Sequence, residues 1–466
     1  MSNNILLYLF FFFTLISCGT RDAEEIIMVQ DFFGKPERTN FKVSPDGSKI
    51  AYLGLEDHCR NIFILNIDQP DSSKQLTQEN NMNVQYFFWA NADTIVYSIS
   101  QSNEDSLRLF SVDIHHEKSN YLIRPAKHTI RWLNPTKAIN GQLLAQMNNR
   151  DSTVFDLYRI PLDGREPTLV DINTSQYQSW FMSNDGKVRL ALTSDSVHDK
   201  LWFRKEEGQM YTPIVETDFE TTILPLGPVK DSQNEIFALS NRGRDKMAVV
   251  KMNLESGAEQ VFESHANLDM ARDGYLFSRN EMVYTAVNDK KKNLKIYNPQ
   301  LSKIYGKLKR NFEDYAIDIL DADSAFQLVV FKTYTDVNPG GVYYYSTNQD
   351  KIVELTSVTP TLAGKKFSPM QEIAFNSRDG MEIKGYLTLP LQKQKTILSS
   401  FWFMMVQVVE MFGALIKKCN SWLIVVMRFF KSTIEVQRDL VRNFLLLDSN
   451  NGEEKFKTIS MMVLLG

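Results

Sequence analysis

The chain has little of what most active sites are built from. Of its 466 residues three are cysteines, Cys18, Cys59 and Cys419, and six are histidines, the last of which is His265. Cysteines this far apart give neither a disulfide framework nor a zinc spacing, so the fold has to be held by its core. No Gly-x-Ser-x-Gly occurs anywhere, and a hydrolase triad that closes on a late histidine has none to use. A net charge of -4 without a basic stripe argues against nucleic acid as a partner. Nothing in the pattern asks for a cofactor or a metal ion, and no catalytic, cofactor-binding or metal-ligating residue is singled out. His115-His116 reads as a solvated turn after a strand, since no third ligand accompanies it.

Long apolar runs are also scarce. The one run, residues 5–16, includes four consecutive phenylalanines. It is too short to cross a bilayer and sits where a signal-peptide core belongs. It leads into Leu15-Ile16-Ser17-Cys18-Gly19, which resembles the bacterial lipobox and makes Cys18 the candidate lipidation site, although Met1 to Asn4 carry no Lys or Arg. The alternative is a plain secretory signal with an incidental cysteine. Either way the expectation is export; with lipidation it is a periplasmic protein held to a membrane surface, the outer membrane being the expected one, without spanning it.

What the chain does have is the makeup of a globular protein, with 43% hydrophobic and 23% charged residues. From about residue 40 to 360 it repeats short period-2 strands and polar turns. Ser44-Pro45-Asp46-Gly47 is the clearest turn, because Pro presets φ, Asp accepts backbone bonds and Gly takes positive φ. Comparable marks recur at Asn91-Ala92-Asp93, Asn134-Pro135-Thr136-Lys137, Ser183-Asn184-Asp185-Gly186, Lys230-Asp231-Ser232, Ala271-Arg272-Asp273-Gly274 and Asp321-Ala322-Asp323-Ser324. Steps of roughly 40 to 50 residues are the period of four-stranded propeller blades. The expected fold is all-β, a seven-bladed β-propeller over 40–360, favoured over a β-sandwich or two stacked β domains by the regular spacing. Residues 19–39 form an amino-terminal segment with a short helix suggested over 23–33. Tyr343-Tyr344-Tyr345 and Trp132 read as blade packing, and Lys290-Lys291-Lys292 as a solvated hairpin tip. Arg242 and Arg244 suit either a substrate carboxylate or a structural salt bridge.

Three passages in this order resemble one family: 31–37 leading into Phe41 to Gly47, then Ser240-Asn241-Arg242-Gly243-Arg244-Asp245-Lys246, then the hairpin-like stretch Ser377 to Pro390. Together they are similar to the amino-terminal propeller of prolyl-oligopeptidase-type serine peptidases, the S9 group, near its dipeptidyl-aminopeptidase and acylaminoacyl-peptidase branch. The resemblance covers residues 31–390 and implies peptides as partners. It also implies that 361–390 opens an α/β-hydrolase domain, with a His-Gly-Gly-Pro turn soon after and Ser, Asp and His later.

Residues 391–466 carry none of that, and the genetic code suggests why. Taking the last base of each codon with the first two of the next, Trp402 into Phe403 must give Val, Met404 into Met405 Asp, Met405 into Val406 Gly, and Met411 into Phe412 Val. With the ambiguous bases chosen freely, 397–415 can read PVVVLVHDGPGGRDVWGF and 418–439 can read MQFLANRGYAVFQVNYRGSTGF, both like the start of an S9 hydrolase domain. The expectation is therefore a frameshift just before Ile397, a truncated hydrolase domain, a disordered or poorly folded tail and no peptidase activity. The alternative is a lipid-anchored propeller acting as a binding or scaffold module, with a tail that is real.

Overall fold

The computed structural model describes residues 36–100, 108–123, 130–132, 138–195, 198–276, 279–289, 291–376, 382–388, 398–399 and 427–431, with Ile27, Asp31 and Phe32 ahead of them. Cys18, the turn at 134–137 and nearly all of 391–466 lie outside the described residues, as does most of the helix suggested over 23–33.

Six four-stranded antiparallel sheets follow one another over 38–75, 83–123, 130–171, 179–216, 223–263 and 316–357, each with its strands paired in chain order. The strands are apolar on both sides because each sheet is covered on both. In Lys49–Glu56, Ala51 and Leu53 enter the core shared with the second sheet, while Ile50 and Tyr52 enter the core shared with the last. Period-2 alternation thus distributes one strand between two interfaces. Similar clusters join each sheet to the next. The first strands of neighbouring sheets touch one another: Arg38–Val43 meets both Asn83–Trp89 and Ala316–Ala322. They are therefore innermost, and the sheets stand around a common axis as propeller blades. Five of the six described turn marks fall where the first strand of a unit ends; the other, Ala271-Arg272-Asp273-Gly274, instead precedes the short strand Tyr275–Leu276. In the first, Gly47 (φ +71°) donates to the Ser44 carbonyl at 2.9 Å, and Asp46 accepts from Ser44 Oγ at 2.5 Å.

Between 263 and 316 the pattern departs from the expected seven four-stranded blades. Two hairpins stand there, Tyr275–Leu276 with Glu281–Met282 and Tyr284–Asn288 with Lys292–Ile296. A helix, α1 (Pro299–Asn311), then takes the place of an outer strand. The cause is local. The Asn298 side chain accepts from the Gln300 and Leu301 amides, Pro299 occupies the first turn where its missing N–H costs nothing, and Leu301, Ile304 and Leu308 repeat at helical spacing. Those three side chains pack on Tyr284, Ala286, Ile317 and Phe331, so the helix bridges its own unit to the last sheet.

No strand is exchanged between the first and last sheets among the described residues; each is contiguous in the chain. The ring closes through side chains: Phe41, Val43, Ile50, Tyr52 and Leu65 against Leu328, Val330, Val342, Tyr344 and Leu355. Three hydrogen bonds cross the seam, Val43 N to Asp321 Oδ2 at 2.9 Å, Arg38 Nη1 to the Leu355 carbonyl at 3.3 Å, and Gln349 Nε2 to the Ile67 carbonyl at 3.4 Å. A buried aliphatic or aromatic side chain contributes about 1.5–3 kcal/mol and a net hydrogen bond about 1, so the apolar wedge dominates closure. Asp321 keeps some exposure but is surrounded by protein at longer range, and that desolvation pushes its carboxyl up in spite of Lys42 and the Val43 amide.

Two outcomes follow from these contacts. Because the folded Asp321 carboxyl holds its proton more tightly than the unfolded one, its contribution is fullest below the usual carboxylate range and is lost as pH rises through the raised folded value. Asp321→Asn flattens that slope in urea melts across acid pH, and Asp321→Ala costs about 1–3 kcal/mol by orphaning the Val43 N–H. Asn298→Ala costs about 1 kcal/mol in the same melts by uncapping α1.

Candidate functional site on the link face

Strands in a four-stranded meander run alternately, so each sheet starts and ends on the same face. That face carries the links between sheets and the turns between second and third strands. Both ends of the ring also emerge there. Ile27 and Phe32 pack with Leu362 and Phe367 against Val337, which lies in such a turn of the last sheet. Thr361 Oγ1 donates to the Asp31 carbonyl at 2.7 Å, and the Met370 amide to Asp336 Oδ2 at 2.8 Å. Directly beyond, Met370–Asn376 pairs antiparallel with Glu382–Thr388 in continuous register. Residues 377–381, the turn of that pair, lie outside the described residues.

The links are held by buried asparagines that use both ends of the amide. Asn61 Oδ1 accepts from Thr77 Oγ1 (2.9 Å) and Glu79 N (2.8 Å), while its Nδ2 donates to the Glu79 carbonyl (3.0 Å). Asn241 does the same for the link at 217–222, accepting from Thr222 N at 2.7 Å and donating to the Glu220 carbonyl at 2.9 Å. Asn173 sits within a link and ties it to the Phe155 and Tyr177 carbonyls and the Tyr177 amide. Such a side chain satisfies main-chain groups that the chain leaves unpaired as it crosses between sheets.

Buried carboxylates fix the neighbouring arginines. Glu259, 4% exposed, accepts from Arg242 Nε at 3.1 Å, Arg244 Nη2 at 2.6 Å and Ser240 Oγ at 2.9 Å. Of the two roles open to Arg242 and Arg244 from sequence, the structural salt bridge is the one formed. Asp156, with a fully buried side chain, takes Arg150 in a two-pronged bond and the Asn173 amide at 2.8 Å. Neither acid was singled out from sequence, because each partner lies at a separation that no local motif marks.

His115 bonds Asp93 and His116 bonds Asp113, each at 3.0 Å, in an exposed turn on the opposite face. Tyr344 and Tyr345 are buried, and Tyr343 stacks on Phe331. The Trp132 side chain lies outside the described residues. The run at Lys290-Lys291-Lys292 is not wholly solvated: Lys292 turns inward to pair with Asp273 and lies 3.8 Å from Asp318. Burial pushes the Asp318 carboxyl up despite Lys292 and Lys332, and the nearby Tyr305 and Tyr334 hydroxyls up to about 12. Period-2 reading places a tip residue outward by default, and here the acids that draw it in, Asp273 in a loop and Asp318 in the first strand of the last sheet, lie elsewhere in the chain.

The Glu259 clamp makes a measurable claim. Breaking a fully buried pair by removing one partner costs about 3–5 kcal/mol, and the partial exposure of both arginines reduces that. Glu259→Ala therefore destabilises the chain by about 2 kcal/mol in chemical melts, and Arg242→Ala by less than Glu259→Ala, since Arg244 keeps the carboxylate paired.

No protein-family model matches the chain. It is 25% identical over 373 residues to dipeptidyl aminopeptidase BIII of Pseudoxanthomonas mexicana, covering 78% of this chain and 53% of that protein. It is 22% identical over 395 residues to dipeptidyl peptidase family member 6 of Caenorhabditis elegans, covering 79% and 52%. The chain thus spans about half the length of these curated relatives. Among solved structures it shares its fold with one from a study of two prolyl endopeptidases (TM-score 0.55, 10% identity, 80% of this chain and 57% of that one). It shares it likewise with a puromycin-hydrolyzing peptidase of Mycobacterium tuberculosis (TM-score 0.54, 14% identity, 78% and 60%). The described body of this chain is thus similar in sequence to part of these dipeptidyl peptidases and shares its propeller fold with the prolyl endopeptidase structure.

Proposed function

We propose that this chain is the propeller of an exported, lipid-anchored dipeptidyl peptidase of the S9 type, separated from its catalytic domain by a shift of reading frame before Ile397. The observation that carries the reading is the hairpin of Met370–Asn376 and Glu382–Thr388. It follows the last sheet after a short connection, 358–369, that is packed against the ring, and it rises from the face where both ends of the ring meet. In the resembled family that is where a hydrolase domain begins, and a domain seated there is reached only past the ring. The asparagine and carboxylate clamps of the link face suit this, since they make it a stiff seat. The names of the curated relatives point to peptides as substrates, with dipeptides released from their ends.

The same reading makes the chain as written inactive. A serine nucleophile needs a histidine to take its proton, and none follows His265. Export rests on the run at 5–16, and the anchor on Cys18.

Purified chain incubated with aminoacyl- and dipeptidyl-4-nitroanilides is expected to release no nitroaniline above background. Turnover abolished by a serine-directed phosphonate would overturn the inactive reading. For the anchor, radiolabelled palmitate is expected to enter the chain expressed in a bacterium and to be lost in Cys18→Ser.

A further inference from the structure

The outer edge of the unit that departs from the four-stranded pattern is unusual in charge. Residues 290–312 contain eight basic side chains, Lys290, Lys291, Lys292, Lys295, Lys303, Lys307, Lys309 and Arg310, and no acidic one, in a chain where acids outnumber bases 56 to 52. Three of the eight are paired with acids, Lys292 with Asp273, Lys295 with Glu263 and Lys307 with Asp350, the last two at the surface. The other described ones sit near or on α1. Lys291, Lys303 and Arg310 are exposed and Lys309 is half-buried. Cations in the last turn of a helix are commonplace because they meet the negative end of its dipole, which accounts for Lys309 and Arg310. It does not account for Lys291, for Lys303 in mid-helix, or for the missing acids.

The geometry gathers part of this charge at one corner. Lys291 Nζ donates to the Asp314 carbonyl at 2.7 Å and Lys309 Nζ to the Tyr315 carbonyl at 3.4 Å, so two ammonium groups are held over consecutive peptides. Lys309 is pushed down by burial and by Lys291. Glu313 and Asp314 lie beside the corner and offset part of its charge. The corner is also next to the place where the amino-terminal segment joins the ring. Ile27 and Phe32 pack on Val337, and the adjacent Asn338 donates to the Tyr315 hydroxyl at 3.0 Å. The described part of the amino-terminal segment, Ile27 and Phe32, thus meets the ring beside this corner.

We propose that Lys291, Lys303, Lys309 and Arg310 form a surface that apposes the propeller to a membrane bearing anionic phospholipid headgroups. The proposal rests on the export reading for its setting. An acyl tether supplies affinity without orientation, and a basic edge supplies orientation, each cation near an anionic surface adding roughly fivefold to binding at low salt.

The test uses the full chain carrying Cys18→Ser, so that no acyl group contributes, sedimented with vesicles of phosphatidylglycerol and phosphatidylcholine or of phosphatidylcholine alone. Expected are binding to the anionic vesicles only, loss of it at high salt, and at least a tenfold drop in Lys291→Glu/Lys309→Glu/Arg310→Glu with an unchanged circular dichroism spectrum. Equal binding by that variant, or no binding to anionic vesicles at low salt, overturns the proposal. Inorganic phosphate at millimolar concentration is the second arm: if it abolishes vesicle binding at constant ionic strength, the corner is a phosphate site and the membrane role falls. Palmitate labelling of the unmutated chain reports separately on the anchor, so failure there leaves the vesicle result readable.

Discussion

The wedge of apolar side chains between the first and last sheets is the contact on which the ring depends. Every other interface joins sheets that are neighbours in sequence and short of chain to separate them. This one joins residues nearly 300 positions apart, with Phe41, Val43 and Tyr52 meeting Leu328, Val330 and Tyr344. No main-chain ladder crosses it among the described residues. Its strength is therefore that of side-chain burial, which is large in sum but has little directional lock beyond the Asp321, Arg38 and Gln349 bonds. The placing of the two chain ends follows from it. Because the ring closes by contact and not by strand exchange, both ends leave from one face, and the hairpin after residue 370 stands beside the segment that precedes residue 36.

That face is ordered by polar groups used structurally. Asn61, Asn173 and Asn241 each satisfy main-chain atoms of a link, and Glu259 and Asp156 each neutralise arginine while accepting a further bond. Burying an acid is costly unless it is paired and hydrogen-bonded, and both of these are. The consequence for function is that the arginines most suggestive in sequence are committed within the propeller.

Much of the architecture was legible in sequence because propeller units repeat the same chemistry at the same place. The marks at Ser44, Asn91, Ser183, Lys230 and Asp321 all end a first strand, since a reversal there needs the same Gly, Asn and Asp geometries. The unit after residue 263 was misread because its outer element changes period. Asn298-Pro299 followed by Leu301, Ile304 and Leu308 is a capped helix in sequence too, but a search for short strands passes over it. The site was harder to read. Glu259 lies 15 residues beyond Arg244 in the next hairpin arm, and Lys292 is drawn inward by Asp273, so both pairings exist only once the sheets have formed. The Arg242 and Arg244 alternatives could be separated by the fold alone.

The proposed shift of reading frame before Ile397 is examined most directly in the gene itself. Its nucleotide sequence downstream of the codon for Thr396, translated in the frame that joins each third base to the next two, is predicted to run without stops through a His-Asp-Gly-Pro-Gly-Gly turn. Further on it should encode a serine elbow, an aspartate and a histidine in that order. A frame broken by stops, or one free of them but without the serine elbow and the late histidine, would contradict it.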